Sequence, residues 1–275
     1  MKTLISKTIV LVMLVVTIFT SCTKDDASKQ EPVLPPEESM VMDFSNFQST
    51  TTFSAVKSVG SDDTTQYNNW ISSAVTIGAW NTAIYLNTVL PITAFKEAFK
   101  HPAVFMADSS MWVRTYTVSN LGISYTCKLE GTVNGNSTFW KMYLSKSGGL
   151  GVNFSNYVWF TGISSRDGLT ATWFLNKGPE SKGSPYLNIT WVKNMSLRYT
   201  LVDTMDANVG NYLEYDIINE AGLDAQFLIQ TVKHDNDITI QWHTTNKNGR
   251  VKCQNWYTDL NWHYWDRNHK NSLGQ

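Results

Sequence analysis

The chain has 275 residues, of which 42% are hydrophobic and 16% are charged, and its formal net charge is −1. Ample apolar content and low net charge exclude a chain that is disordered throughout. The chain also lacks the basic excess of a nucleic-acid-binding surface, so we expect no nucleic-acid partner. Aromatic residues make up 13% of the chain. A sheet-rich core accounts for them, and a surface that stacks on sugar rings or contacts lipid is the alternative.

Residues 1–21 have the three zones of a cleaved export signal. Lys2 and Lys7 form a positively charged start, residues 9–19 are an apolar run, and small residues directly precede Cys22. The run is too short to span a bilayer, which takes about 20 residues. We therefore predict a signal peptide over 1–21 and a mature chain that starts at Cys22, with diacylglycerol attached to its sulfur as a thioether.

The residues around Cys22 carry a family resemblance. A Cys directly after small residues resembles the lipobox of bacterial lipoproteins, although Phe19 stands where that motif usually has Leu. The following Lys24, Asp25 and Asp26 are similar to the surface-export signal of Bacteroidetes lipoproteins, and an ordinary acidic tether is the alternative. The resemblance implies a protein anchored to the outer membrane by acyl chains and displayed at the cell surface. A simple secretory signal with an unrelated Cys is the competing interpretation.

Residues 22–40 are polar and charged and contain Pro32, Pro35 and Pro36, which is typical of an extended tether. We predict one folded domain over 41–275. It should begin with helices, because apolar residues recur at helical spacing over 67–90 on nearly every face, as in a buried helix.

Pro91 follows this segment, and we expect it to end or kink the helix. A second, shorter helix is predicted over 92–100. From Met111 onward the apolar pattern has period two, and turn signals such as Asn134-Gly135 recur between the apolar segments.

This pattern predicts roughly ten strands joined by hairpins. The expected fold class is mainly β (α+β). A long antiparallel up-and-down meander should form a curved sheet or barrel, with the N-terminal helices packed on its apolar face. In outline this layout is similar to half-barrel lipoproteins, although no shared motif supports the likeness.

Cys127 and Cys253 are the cysteines that remain beside Cys22. In an oxidising envelope they form a candidate disulfide. Two buried free thiols are equally compatible with the sequence, since both residues lie on apolar strand faces. The bond would require the sheet to close and bring its first and last long strands together. No Cys and His spacing predicts zinc, and we expect no cofactor.

The C-terminal stretch is the candidate ligand-binding segment. It would offer a stacking platform to a sugar, and an aromatic plug at the end of the barrel is the structural alternative. The stretch also holds His263, Asp266 and His269, whose loose spacing predicts no metal site. The aromatic candidates are Trp256, Tyr257, Trp262, Tyr264 and Trp265.

Glu214 and Asp216 lie two residues apart on one predicted strand, so both side chains point to the same face. Paired carboxylates about 5 to 9 Å apart are the working groups of most glycosidases. Surface residues on a strand share this spacing, and the chain has neither a glycine-rich phosphate loop nor a nucleophile elbow. An exposed outer-face position without a cleft would remove the enzyme hypothesis.

The sequence thus favours a non-catalytic, envelope-anchored lipoprotein that binds a glycan or an apolar ligand. There are two alternatives: a carrier that holds lipid or another apolar molecule between helix and sheet, and a glycoside-acting enzyme. A filled interior would count against the carrier.

Overall fold

The computed structural model describes residues 29–47 and 68–273. The predicted signal peptide and Cys22 lie outside these residues. The described chain consists of one long helix, one antiparallel sheet and an N-terminal segment that packs between them. Short 3-10 turns connect the elements, at Glu37–Ser39, Ser45–Phe47, Ala107–Ser109, Pro179–Ser181 and Val232–His234.

Fourteen strands form a single sheet in which every strand pairs with its sequence neighbour. The predicted antiparallel up-and-down meander is therefore confirmed. Among the described strands the first and the last do not pair, so the sheet is open. The strands are β1 (Val104–Met106), β2 (Met111–Asn120), β3 (Ile123–Asn134), β4 (Ser137–Lys146), β5 (Phe154–Ser165), β6 (Thr170–Asn176), β7 (Pro185–Val192), β8 (Ser196–Leu201), β9 (Tyr212–Glu220), β10 (Leu223–Thr231), β11 (Asn236–Trp242), β12 (Gly249–Lys252), β13 (His263–Trp265) and β14 (Asn271–Ser272).

The long helix, α1, runs from Asn68 to Ala98 without interruption, which corrects the prediction of two helices separated at Pro91. A proline inside a helix costs about 3 kcal/mol or more, because it removes one backbone hydrogen bond and crowds the preceding turn. Pro91 is itself buried, next to Leu90 and one turn before Phe95. Burial of these apolar side chains offsets the cost. A second helix, α2, is a single turn at Gln254–Tyr257.

Helix α1 crosses the apolar face of the sheet, which we call the inner face. Near its start, the Asn69 side-chain amide donates to the Tyr264 carbonyl on β13 at 2.8 Å. Near its end, the Tyr116 hydroxyl on β2 donates to the Ala94 carbonyl at 2.6 Å. The helix therefore links the two ends of the meander and shields the inner face from water.

The N-terminal segment 29–47 also lies on the inner face, so residues 29–40, the described part of the tether predicted over 22–40, pack on the fold. The Trp173 indole N–H donates to Ser39 Oγ at 3.3 Å. The Tyr199 hydroxyl donates to the Met40 carbonyl at 2.9 Å and accepts from the Met42 N–H at 2.8 Å. The folded part of the chain therefore begins before residue 41.

The proline-rich part of this segment packs on the fold instead of extending into solvent. Pro32 and Pro35 are buried. Arg166, in the turn between β5 and β6, donates to the Gln30 side chain at 3.2 Å, and Val33 lies against Gly168 in the same turn. Proline favours an extended backbone in either setting, so its presence did not distinguish a packed segment from a free spacer.

Three glycines on the inner face lie under tryptophan rings of the neighbouring strand. The register pairs Gly131 with Trp140, Gly162 with Trp173 and Gly249 with Trp265. A Cβ atom built on Gly162 would lie 2.1 Å from Trp173 Cε3, a distance that no packed pair of atoms can adopt. The large indoles therefore fit only because the facing residue has no side chain.

We expect Gly162→Ala to destabilise the protein by about 3 kcal/mol, because the buried Trp173 ring must leave its position. Urea unfolding of wild type and variant would measure the change. Gly78→Ala on α1 is the matched control, since nothing lies within 4 Å of the added methyl group. The control should gain up to about 1 kcal/mol from helix propensity. Equal unfolding midpoints for wild type and Gly162→Ala would contradict the packing argument.

Candidate functional site

A depression of about 560 Å³ opens where α1 meets one end of the sheet. Its volume falls within the range of about 300 to 1,000 Å³ that is typical of small-ligand sites. Leu86 of α1 forms one side, and the loop after β4 and the loop after β6 form the rim. The wall is largely aromatic, and its aromatic residues are Tyr125, Phe154, Trp159 and Tyr186.

The aromatic side chains of this wall hold one another in place. The Phe154 ring lies 5.9 Å from the Trp159 ring and 6.3 Å from the Tyr125 ring. Behind them, Tyr157 packs edge-on against Trp159 at 5.4 Å. The Tyr186 hydroxyl donates to the Ala83 carbonyl of α1 at 2.9 Å. The wall is therefore preformed.

An irregularity in β5 creates this wall. The pairing of β4 with β5 shifts register twice, and Asn156 has a positive φ of 48°. A bulge of this kind changes which residues point inward. As a result the adjacent Trp159 and Phe160 are both buried, at 7% and 0% exposure. Regular alternation would place them on opposite faces, which explains why the sequence pattern did not identify the site.

Two lysines bring charge to the depression. Lys146 is 5% exposed as a residue, and its ammonium donates to the carbonyls of Leu150 and Val152. Lys177 forms an ion pair with Asp203, and the hydrogen bond from Lys177 lowers the pKa of that carboxyl group. Lys146 thus differs from Lys177, because no carboxylate of the described residues lies within 4.0 Å of it.

Neutral donors complete the wall. Burial raises the pKa of Tyr125 and of Tyr186, so both phenols stay protonated. The Trp159 indole N–H is buried and has no hydrogen-bond partner among the described residues. The wall therefore combines apolar rings with hydrogen-bond donors.

The structure does not gather the predicted C-terminal aromatics into one platform. Trp265 is buried at 2% exposure, and its indole N–H donates to the Lys247 carbonyl at 2.8 Å. Tyr257 stacks on His263 at 3.5 Å and donates to the Asn69 side chain. Tyr257 therefore attaches the C-terminal part of the chain to the start of α1, and Trp265 attaches β13 to the loop between β11 and β12.

Trp262 and Tyr264 lie on the opposite, outer face of the sheet. The Trp262 ring covers the Arg250 guanidinium at 4.1 Å, and Arg250 pairs with Tyr264 across β12 and β13. Trp256 packs edge-on against Tyr257, on the inner side. The five candidates are thus divided between two faces.

The two histidines of the possible metal site, His263 and His269, each contact a different residue. His263 contacts Asp259 at 3.0 Å, and His269 stacks on Trp70 at 4.2 Å. Within the described part of the chain, no group of three or more His, Cys, Asp or Glu residues is arranged to hold a metal ion.

Glu214 and Asp216 share the outer face of β9, as the alternation predicts, and neither lines the depression. Burial chiefly raises the pKa of both carboxyl groups. Glu214 lies 3.8 Å from Arg198, and Asp216 accepts a hydrogen bond from Gln226 at 3.2 Å. Both carboxylates belong to side-chain networks on the outer face, not to a cleft.

Cys127 and Cys253 are free, buried thiols in this structure. The condition for the candidate disulfide is not met, because the sheet does not close and bring β3 beside β12. Burial raises the pKa of the Cys127 thiol to about 12, and Cys253 Sγ contacts Asn236 Oδ1 at 3.4 Å. The alternative of two buried free thiols describes the structure.

The space between α1 and the sheet is filled by side chains. Apolar residues of α1, the N-terminal segment and the inner face form one contiguous buried cluster. This cluster lies where the carrier hypothesis would place its cargo.

In the described part of the chain, no helix combines the length and the apolarity needed to cross a bilayer. Comparison of the chain with known protein families, with curated proteins and with solved structures gives no match. Function therefore has to be argued from the site itself.

We expect His269 to make stability depend on pH. Burial lowers its pKa from the ordinary value of 6.5, so the unfolded chain takes up the proton more readily than the folded one. Its contribution is present above pH 6.5 and is lost as the pH falls through the lowered pKa. His269→Asn suits the positive φ of this turn and should reduce the loss of stability between about pH 7 and about pH 5.

Urea unfolding midpoints at the two pH values would measure this slope. His234→Asn is the matched control, because His234 is exposed and takes no part in the stacking of His269 on Trp70. This variant should keep the wild-type slope. An unchanged slope in His269→Asn would refute the assignment.

Proposed function

We propose that this protein is a surface-exposed lipoprotein of the outer membrane, anchored through Cys22, that binds a glycan without altering it chemically. The observation that carries the binding role is the depression between α1 and the strand ends. It joins a preformed aromatic wall to the hydrogen-bond donors of Lys146 and Trp159 within a ligand-sized volume.

A glycan fits this wall better than a purely apolar ligand does. Sugar rings have apolar faces that can pack on Phe154, and hydroxyl groups that need polar partners. The rim provides such partners at Asn87, Ser181 and Glu180. An apolar ligand would displace water from these groups and from the Lys146 ammonium without offering them a hydrogen-bond partner.

The positions of Glu214 and Asp216 favour a non-catalytic role over a glycoside-acting enzyme. A glycosidase needs its two carboxyl groups on either side of one scissile bond. Here both lie on the outer face, engaged with Arg198 and Gln226 and remote from the aromatic depression.

The binding role predicts that a glycan array will retain the chain produced from Thr23 onward, which includes every residue of the described fold. Phe154→Ala should weaken binding to the retained glycans by about tenfold, because a stacking ring is lost from the wall. Phe139→Ala is the matched control, since it removes an exposed ring on the outer face. Loss of binding in both variants alike, or an array without signal, would contradict the assignment.

The anchor predicts that Cys22→Ala will move the protein from the membrane fraction to the soluble fraction. Two or more acyl chains hold a protein stably at a bilayer, and without the thiol none can be attached. Sedimentation of cell membranes followed by immunoblotting measures the distribution. Ser21→Ala keeps a small residue before the cysteine and should remain with the membranes. A Cys22→Ala protein that still sediments with the membranes would rule out this anchor.

A further inference from the structure

We infer that the depression selects acidic glycans, which carry a carboxylate or a sulfate group, and that Lys146 and Trp159 bind the acidic group. This inference rests on the proposed glycan-binding function and adds the chemical class of the ligand.

The first observation is the environment of Lys146. A lysine ammonium has three hydrogen-bond donors and carries a full charge. Lys146 is 5% exposed as a residue, and burying a charge is costly unless it is paired. Its protein partners are two neutral carbonyls, those of Leu150 and Val152. One donor and the whole charge therefore remain for an anionic group in the depression.

The second observation is the indole N–H of Trp159. The side chain is 7% exposed and lines the same depression, and its N–H has no hydrogen-bond partner among the described residues. A buried donor without an acceptor costs about 1 to 3 kcal/mol, a cost that an acceptor in the site would remove. Lys146 and Trp159 thus each present a hydrogen-bond donor that has no anionic acceptor among the described residues.

The loop after β4 fixes the ammonium at the wall. Gly148, Gly149 and Gly151 have φ values of 80°, 72° and 81°, a conformation that glycine adopts without a steric penalty. The loop turns back so that its carbonyls meet the ammonium. A Cβ on Gly151 would lie 3.5 Å from Lys146 Nζ, so the absence of a side chain there leaves space beside the charge.

Carboxylates also line the depression, and their positions limit how strongly they repel an anionic ligand. Glu180 and Asp206 line the depression, and Glu180 lies near enough to Tyr125 to contribute to its raised pKa. Glu180 is exposed to solvent, where water and salt screen its charge. The charge of Lys146 lies in the protein interior, where electrostatic interactions are stronger. The buried cation therefore determines which ligand group is preferred at the wall.

Two sugars that differ only in the acidic group test the inference. The methyl β-glycosides of glucuronic acid and of glucose are titrated into the chain from Thr23 onward, and binding is followed by NMR chemical shifts. Glucose 6-sulfate serves as a third probe, which distinguishes a carboxylate from a sulfate. We expect at least one acidic sugar to bind about tenfold more tightly than the neutral glycoside. Raising the salt from about 50 mM to about 500 mM should weaken only the acidic sugar.

Variants assign the preference to residues. Lys146→Met removes the charge, and Trp159→Phe removes the N–H while it keeps an aromatic ring. Each should reduce the preference for the acidic sugar over the neutral glycoside to less than about threefold. Lys141→Met, on the outer face of the same strand, should keep the wild-type preference.

The outcomes separate the two proposals. If the neutral glycoside binds as tightly as both acidic sugars, the acidic preference is wrong and the glycan-binding role stands. If the acidic preference persists in Lys146→Met and in Trp159→Phe, the assignment to this depression is wrong. If no sugar binds and the glycan array is blank, both proposals fail.

Discussion

The fold is stable only if the apolar face of its sheet is covered, because the sheet is too long to stay flat and does not close on itself. Fourteen antiparallel strands bury their inner side chains only if another element fills the concavity. Helix α1 does so because it has no charged residue between Asn68 and Phe95. The extended segment 29–47 fills the remaining space, and Tyr199 fixes it through two backbone hydrogen bonds. Helix, segment and sheet therefore stabilise one another as a single core.

Local patterns were sufficient to predict most of this fold. Period-two alternation identified the buried faces of strands such as β3, β7 and β10, because each inward residue packs on the same core. The pattern was weaker where tertiary packing overrides a local rule. A proline such as Pro91 would normally end a helix. Here the helix continues, because residues before and after Pro91 are buried in the core. By period two, Ile217 would share the buried face with Leu213 and Tyr215, but it is 52% exposed, near a register shift between β9 and β10.

The candidate site was not predictable by the same reasoning. The C-terminal aromatics are close in sequence, yet Trp265 and Trp262 lie on opposite faces of the sheet. The aromatic wall instead joins residues from β3, β5 and β7, which only the sheet brings together. Its central residue, Trp159, faces inward because of a bulge, and a bulge leaves no regular periodicity to detect. The one local signal was the glycine-rich loop after β4.

The packing of residues 30–33 has a consequence for orientation. These residues contact the turn at 166–169, whereas the depression lies at the other end of the strands, beside the loops after β4 and β6. If acyl chains hold Cys22, the seven residues to position 29 reach at most about 25 Å when fully extended. A short connection of this kind keeps the 166–169 end close to the lipid headgroups. The mouth of the depression then points outward, toward the medium from which a soluble polymer would arrive.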